Sequence, residues 1–190
     1  MEDEVPTCAR IIKSGIIKTY NINSHGEEHP VSYDSNGVTF PISWVLDATN
    51  KTEYFYEAFT DCEIFEVPKR DYLFYIKLHP KIGCEMYLTL AKRLTSLQDR
   101  IYALEQSKAS EKIILTLLHL GERFALPASN KSKLTIIHLP ITQQELANYI
   151  GITRETTSTE LKKLERMKVI KHKNKQYEIN VEKLRSLLES

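Results

Sequence analysis

The chain has 190 residues, 42% of them hydrophobic and 27% charged, the composition of a soluble globular protein with one ordinary domain or two small ones. No apolar run approaches the roughly 18 residues that cross a bilayer. The acidic start Met1-Glu2-Asp3-Glu4 leads into no signal core, so the expected compartment is the cytoplasm with no membrane partner. The net charge of +1 hides an asymmetry: from Lys108 onward 15 Lys+Arg stand against 9 Glu, and the first 107 residues are net acidic. Any polyanionic partner is therefore expected on the C-terminal half.

The first 80 or so residues read as short strands. Ile11-Ile12, Ile16-Ile17, Tyr20 and Ile22 surround Lys13-Ser14-Gly15, which reads as a two-strand turn. His25-Gly26-Glu27-Glu28 is a second turn, and Asn36-Gly37 is a strong hairpin signal. Tyr54–Phe59 and Cys62–Pro68 alternate well enough for two more strands. Turns at intervals of about 8–12 residues predict a small sandwich or barrel-like roll.

The period then changes. From Ile82 to about Ser107, apolar residues fall at Leu90, Leu94, Leu97, Ile101 and Leu104, spaced four, three, four and three. That is a coiled-coil seam, and it predicts a parallel homodimer built on this helix. A second helix over about 110–124 carries Ile113, Ile114, Leu117 and Leu118 on one side. Residues 127–132 read as a loop, and Leu134–Leu139 as a short strand.

The most specific signal follows. Thr142-Gln143-Gln144-Glu145 is a capping box, in which Thr142 and Glu145 each satisfy the other's backbone amide. The helix it opens carries Leu146, Ala147 and Ile150, and Gly151 can take the left-handed conformation that ends it. Thr153 can cap a second helix to about Met167, with Thr157, Leu161 and Leu164 facing inward. Two helices joined by so short a turn form a helix-turn-helix. On the second helix Arg154, Glu155, Ser158 and Thr159 are the candidate base-reading residues. Arginine can bond guanine bidentately and glutamate can accept from cytosine N4. Val169-Ile170 and Tyr177–Ile179 flank Lys171–Gln176, a hairpin whose loop is expected to carry three lysines as a wing. The candidate phosphate contacts are Thr142, Thr153, Thr156, Lys162, Lys171, Lys173 and Lys175. Asn180 caps a last helix ending near Leu188.

Ile141–Glu165, read as a whole, resembles the DNA-binding segment of the Crp/Fnr superfamily. Thr60–Tyr72 is similar to the end of that family's β-roll, and Leu90-Ala91-Lys92-Arg93-Leu94 to its dimer helix. The resemblance implies an α+β chain: a truncated, cupin-like β-roll over 1–81, a dimerisation helix over 82–107 and a winged helix-turn-helix over 108–190. It implies a transcriptional regulator that binds a palindromic operator in double-stranded DNA as a homodimer, with RNA polymerase as a further partner. Arg154, Glu155 and Ser158 match base-contacting positions, whereas Thr159 stands where many members have Arg.

The family's cyclic-nucleotide pocket has a Gly-Glu pair and a phosphate-binding Arg. The corresponding stretch here is Phe40-Pro41-Ile42-Ser43-Trp44-Val45-Leu46, with Lys51–Phe55 near the arginine position, so cyclic AMP dependence is not expected. The family usually has several strands before the segment that resembles Ala9–Tyr20. A roll without them leaves an edge strand and apolar surface to cover.

No cofactor and no metal is expected. Cys8, Cys62 and Cys84 fit neither a disulfide framework nor a cluster spacing. A metal-dependent cupin-like enzyme using His25 and His29 is the rival from another class, but no His-x-His pair or nucleophile–base set supports it. A pure dimerisation module on the same fold is the other alternative.

Overall fold

Alternating apolar residues build the first strands, but distant segments supply their partners. The computed structural model describes residues 5–125 and 134–189. Strands β1 (Cys8–Ser14), β4 (Thr39–Phe40) and β6 (Glu63–Pro68) form one antiparallel sheet in the order β4-β1-β6. A second sheet has the order β3-β2-β5, from β2 (Ile17–Ile22), β3 (Glu28–Asp34) and β5 (Phe55–Ala58). Ile12, Ile17 and Phe40 come from both sheets and share one buried cluster with Val38, Tyr56 and Cys62. The expected roll is therefore present.

Two of its turns differ from the expectation. Lys13-Ser14-Gly15 does not close a hairpin, because β1 pairs with β4 and β6 while β2 pairs with β3 and β5. The segment carries the chain from one sheet to the other. Gly15 makes that passage at φ +92°, and a Cβ there would stand 2.3 Å from the Asp61 carbonyl oxygen. Asn36-Gly37 likewise links β3 of one sheet to β4 of the other. The His25-Gly26 turn does join paired strands.

Strand β6 is a sheet edge, with Ile64 and Phe65 exposed on it. On β2, Lys18 is buried. Burial opposes its charge, but hydrogen bonds to Glu28 (2.7 Å) and Glu57 outweigh that cost and hold its pKa above the ordinary lysine value.

The stretch Phe40–Leu46 forms a short helix, α1 (Ile42–Val45), whose Trp44 and Val45 pack with Ala9, Ile42, Tyr72 and Leu73. Tyr72 and Leu73 belong to α2 (Lys69–Leu78), a helix the sequence reading does not foresee. Pro80 then opens α3 (Pro80–Glu105), where its missing N–H costs nothing.

Contacts divide the chain into compact units Met1–Lys92 and Arg93–Ser190. The second unit is organised around α4 (Ala109–Phe124), whose Ile113, Leu117 and Leu120 are fully buried. Around it lie α5 (Gln143–Ile150), α6 (Arg154–Arg166) and α7 (Val181–Ser186), with a sheet of β7 (Thr135–Ile137), β9 (Gln176–Ile179) and β8 (Ile170–Lys173) in that order. The expected loop at 127–132 lies outside the described residues. No helix among the described residues is long and apolar enough to cross a membrane.

Candidate nucleic-acid interface

Local hydrogen bonds fix the ends of α5 and α6. The Thr142 N–H donates to Glu145 Oε2 at 2.7 Å, and the Glu145 N–H donates back to Thr142 Oγ1 at 3.1 Å. Gly151 ends α5 at φ +75°, and the Ile152 N–H closes the turn on the Ala147 carbonyl at 3.2 Å. Thr153 opens α6 by accepting from the Thr156 N–H at 3.2 Å, and the Thr157 hydroxyl donates to the Thr153 carbonyl at 3.0 Å. Leu146, Ile150, Leu161 and Leu164 bury the inner faces of both helices. The turn and its capping residues lie as the sequence predicts.

These constraints leave the first turn of α6 free. The Arg154 and Glu155 side chains are both exposed and make no hydrogen bond or ion pair with any described residue. Ser158 is half-buried one turn on, and Thr159 and Lys162 are exposed. The four candidate base-reading residues thus share the outer side of one helix. Thr153 and Thr156 lie beside them, with their hydroxyls 3.0 Å apart.

The wing is tighter than expected. Asn174 and Lys175 both have positive φ (52° and 62°), so the hairpin turns on two residues. Lys171 and Lys173 therefore lie on strand β8, and only Lys175 sits in the turn. Lys171 stands 3.8 Å from Glu178, while Lys173 and Lys175 have no ion-pair partner among the described residues.

Between them, α5, α6 and the wing enclose an open concavity of about 360 Å³. It is lined by Thr142, Gln143, Gln144, Arg154, His172 and Lys175. The positive end of the α5 dipole, a guanidinium and an ammonium converge there, which suits an anion. Gln143, Gln144 and His172 are lining residues that sequence reasoning did not name as contacts, and His172 is the titratable one. Its ring stacks on Tyr177 at 4.3 Å, and burial holds its pKa below the ordinary histidine value, partly offset by Glu165. Its position opposite the strongly buried Tyr177 in β8–β9 pairing was the available signal.

On α3, Leu94, Leu97 and Ile101 are exposed, Leu94 to 60% and Ile101 to 56%, while Leu90 and Leu104 are half-buried. Tyr87, one heptad before Leu94, continues the same stripe at 67% exposure.

Among the described residues no group of three His, Cys, Asp or Glu could hold a metal ion. His29 instead bonds Asn23, with His29 Nε2 and Asn23 Nδ2 3.0 Å apart. Cys62 donates weakly to the carbonyls of Ile16 and Thr60.

Comparison with known proteins agrees with this geometry. Residues 111–189 match the Crp-like helix-turn-helix domain. Over that stretch, less than half of its length, the chain is similar to Crp-type DNA-binding domains. It is 27% identical over 169 residues to the regulatory protein HlyX of Actinobacillus pleuropneumoniae, covering 89% of this chain and 68% of that protein. It is 25% identical over 165 residues to the nitrogen fixation regulation protein FixK of Azorhizobium caulinodans, covering 86% of this chain and 64% of that one. The structure of FixK2 from Bradyrhizobium japonicum superposes with a TM-score of 0.79 at 20% identity, over 98% of this chain and 89% of that one, which shows a common fold. The matched stretch spans 60–68% of the lengths of the first curated relatives. Those relatives are regulators.

Proposed function

We propose that this Crp/Fnr-type regulator binds a near-palindromic operator in double-stranded DNA as a homodimer, without cyclic AMP. The observation that carries the reading is the first turn of α6. Arg154 and Glu155 stand exposed and unpartnered there, on a helix whose start is fixed by its own threonine cap. A carboxylate facing a polyanion is repulsive unless it accepts from a base, so the pair fits base reading better than bulk attraction. Arg154, Glu155, Ser158 and Thr159 take the base edges. Thr142, Thr153, Thr156, Lys162, Lys171, Lys173 and Lys175 hold phosphates, which position the helix without reading sequence.

The dimer rests on Tyr87, Leu94, Leu97 and Ile101, apolar side chains left in water at heptad spacing on α3. Leu90 and Leu104 complete the seam. Independence from cyclic AMP is supported by α1, where the stretch expected at the nucleotide pocket buries Trp44 and Val45 in the core. The regulator would work in the cytoplasm and meet RNA polymerase at the promoter.

Selection of bound duplexes from random DNA tests the reading. It should enrich two related half-sites about 10 base pairs apart, the spacing of paired recognition helices. Enrichment of no sequence would reject it. A monomeric chain at micromolar concentration in sedimentation would reject the dimer alone.

A further inference from the structure

Helix α3 presents two different faces in the Arg93–Ser190 unit. One is the exposed stripe of Leu94, Leu97 and Ile101. The other carries Ser96, Arg100 and Ala103, spaced four and three apart, and is turned inward. At 3.6 residues per turn the two stripes are separated by about 125° around the helix. Ala103 is fully buried, and Ser96 Oγ lies 3.3 Å from Nε2 of the buried His119 on α4.

Arg100 reaches further, to the reading head itself. Its Nη2 donates to the Tyr149 carbonyl at 3.2 Å, and its guanidinium lies 4.3 Å from the centroid of the Tyr149 ring. Tyr149 is buried in the last turn of α5, where carbonyls lack intrahelical donors and the helix dipole is negative. One cation thus caps α5 and clamps its last aromatic residue. From the end of α5 at Ile150, three residues lead to Arg154 on α6. By the chain itself, α3 communicates with α5 only through α4 and the segment that follows it. Arg100 is a direct strut.

We propose that Arg100 is a positioning residue that locks the helix-turn-helix to α3, the helix that carries the seam on its other face, and so sets the distance between the two half-sites a dimer can read. This rests on the DNA-reading dimer proposed above. Arginine suits the role because a planar fork can stack and donate at once, which a lysine ammonium cannot. The strut touches no base, so half-site preference is independent of it.

The test uses the full chain and duplexes bearing two copies of the half-site selected by the wild type, with centre-to-centre spacing varied one base pair at a time. The wild type should favour one spacing over its neighbours by about tenfold, and Arg100→Leu should reduce that to within about threefold. Affinity for a duplex with a single half-site should stay within about twofold in the same variant. Arg100→Lys, which keeps the stem and charge, should lose at least about threefold of the discrimination. If Arg100→Leu lost single-half-site binding as well, Arg100→Lys decides. Unchanged spacing discrimination in a variant that still binds the single half-site would overturn the proposal. A wild type that selects no half-site would reject the DNA-binding reading instead, a visibly different result.

Discussion

The two compact units were built by different rules. In Arg93–Ser190, short-range side chains mark the ends of α5 and α6: Thr142 with Glu145, Gly151, and Thr153 with Thr156 and Thr157. In Met1–Lys92, the corresponding decisions are made by residues far apart in sequence. Ile12 meets Ile64 across a strand pair, Ile17 meets Ala58, and Gly15 lies against Asp61. The lesson is that local capping makes an element legible, whereas sheet partnership is settled by closure over many residues.

The largest expected effect sharpens that contrast in the core of the reading head. Leu161→Ala, at a fully buried site on α6, should cost about 2–5 kcal/mol in denaturant unfolding of the Arg93–Ser190 unit. A loss below about 1 kcal/mol would mean that α6 is not held by its inner face.

A pH titration comes next. His119 is buried, with Arg123 adding to the effect, so its pKa falls from 6.5 to about 4. The neutral imidazole is therefore the native form. Its contribution is fully present above pH 6.5 and is lost as the pH falls toward 4. The loss should reach on the order of 3 kcal/mol, and His119→Gln should flatten that part of the stability profile. An unchanged acid limb in the variant would assign the effect to another group.

The same substitution at two glycines tests the comparison directly. Gly15→Ala should cost roughly 3 kcal/mol or more, since left-handed strain adds to a backbone clash with Asp61. Gly151→Ala should cost only about 1–2 kcal/mol, because no atom lies within 4 Å of the added Cβ. Equal losses in thermal unfolding would contradict the view that long-range packing specifies the first unit and local conformation the second. The smallest effect belongs to the capping box, where Thr142→Ala should cost about 1 kcal/mol.

Legibility follows the same division. The helix-turn-helix could be read because the hydroxyls, carboxylate and glycine that end its helices lie within four residues of their targets. The exposed apolar stripe on α3 could be read because heptad spacing is a local pattern. The turns at Gly15 and Gly37 were visible as turns, but nothing near them states that the flanking strands join different sheets. Helix α2 was missed since its half-buried Tyr72, Leu73 and Ile76 follow a strand without a side-chain cap. Pro68 ahead of it and Asp71 in its first turn were the faint signals. The wing lysines were misplaced because Asn174-Lys175 forms a two-residue turn without the glycine that usually announces one.

The central claim is that α6 reads DNA through its first turn, and the direct measurement is operator selection by Arg154→Ala beside Lys175→Ala. Arg154→Ala should lose about 1–3 kcal/mol of specific affinity and accept more than one base at a single position of each half-site. Lys175→Ala should weaken all duplexes alike and lower the salt dependence by about one phosphate contact per protomer. An Arg154→Ala protein that selected the wild-type sequence with undiminished preference would contradict the account.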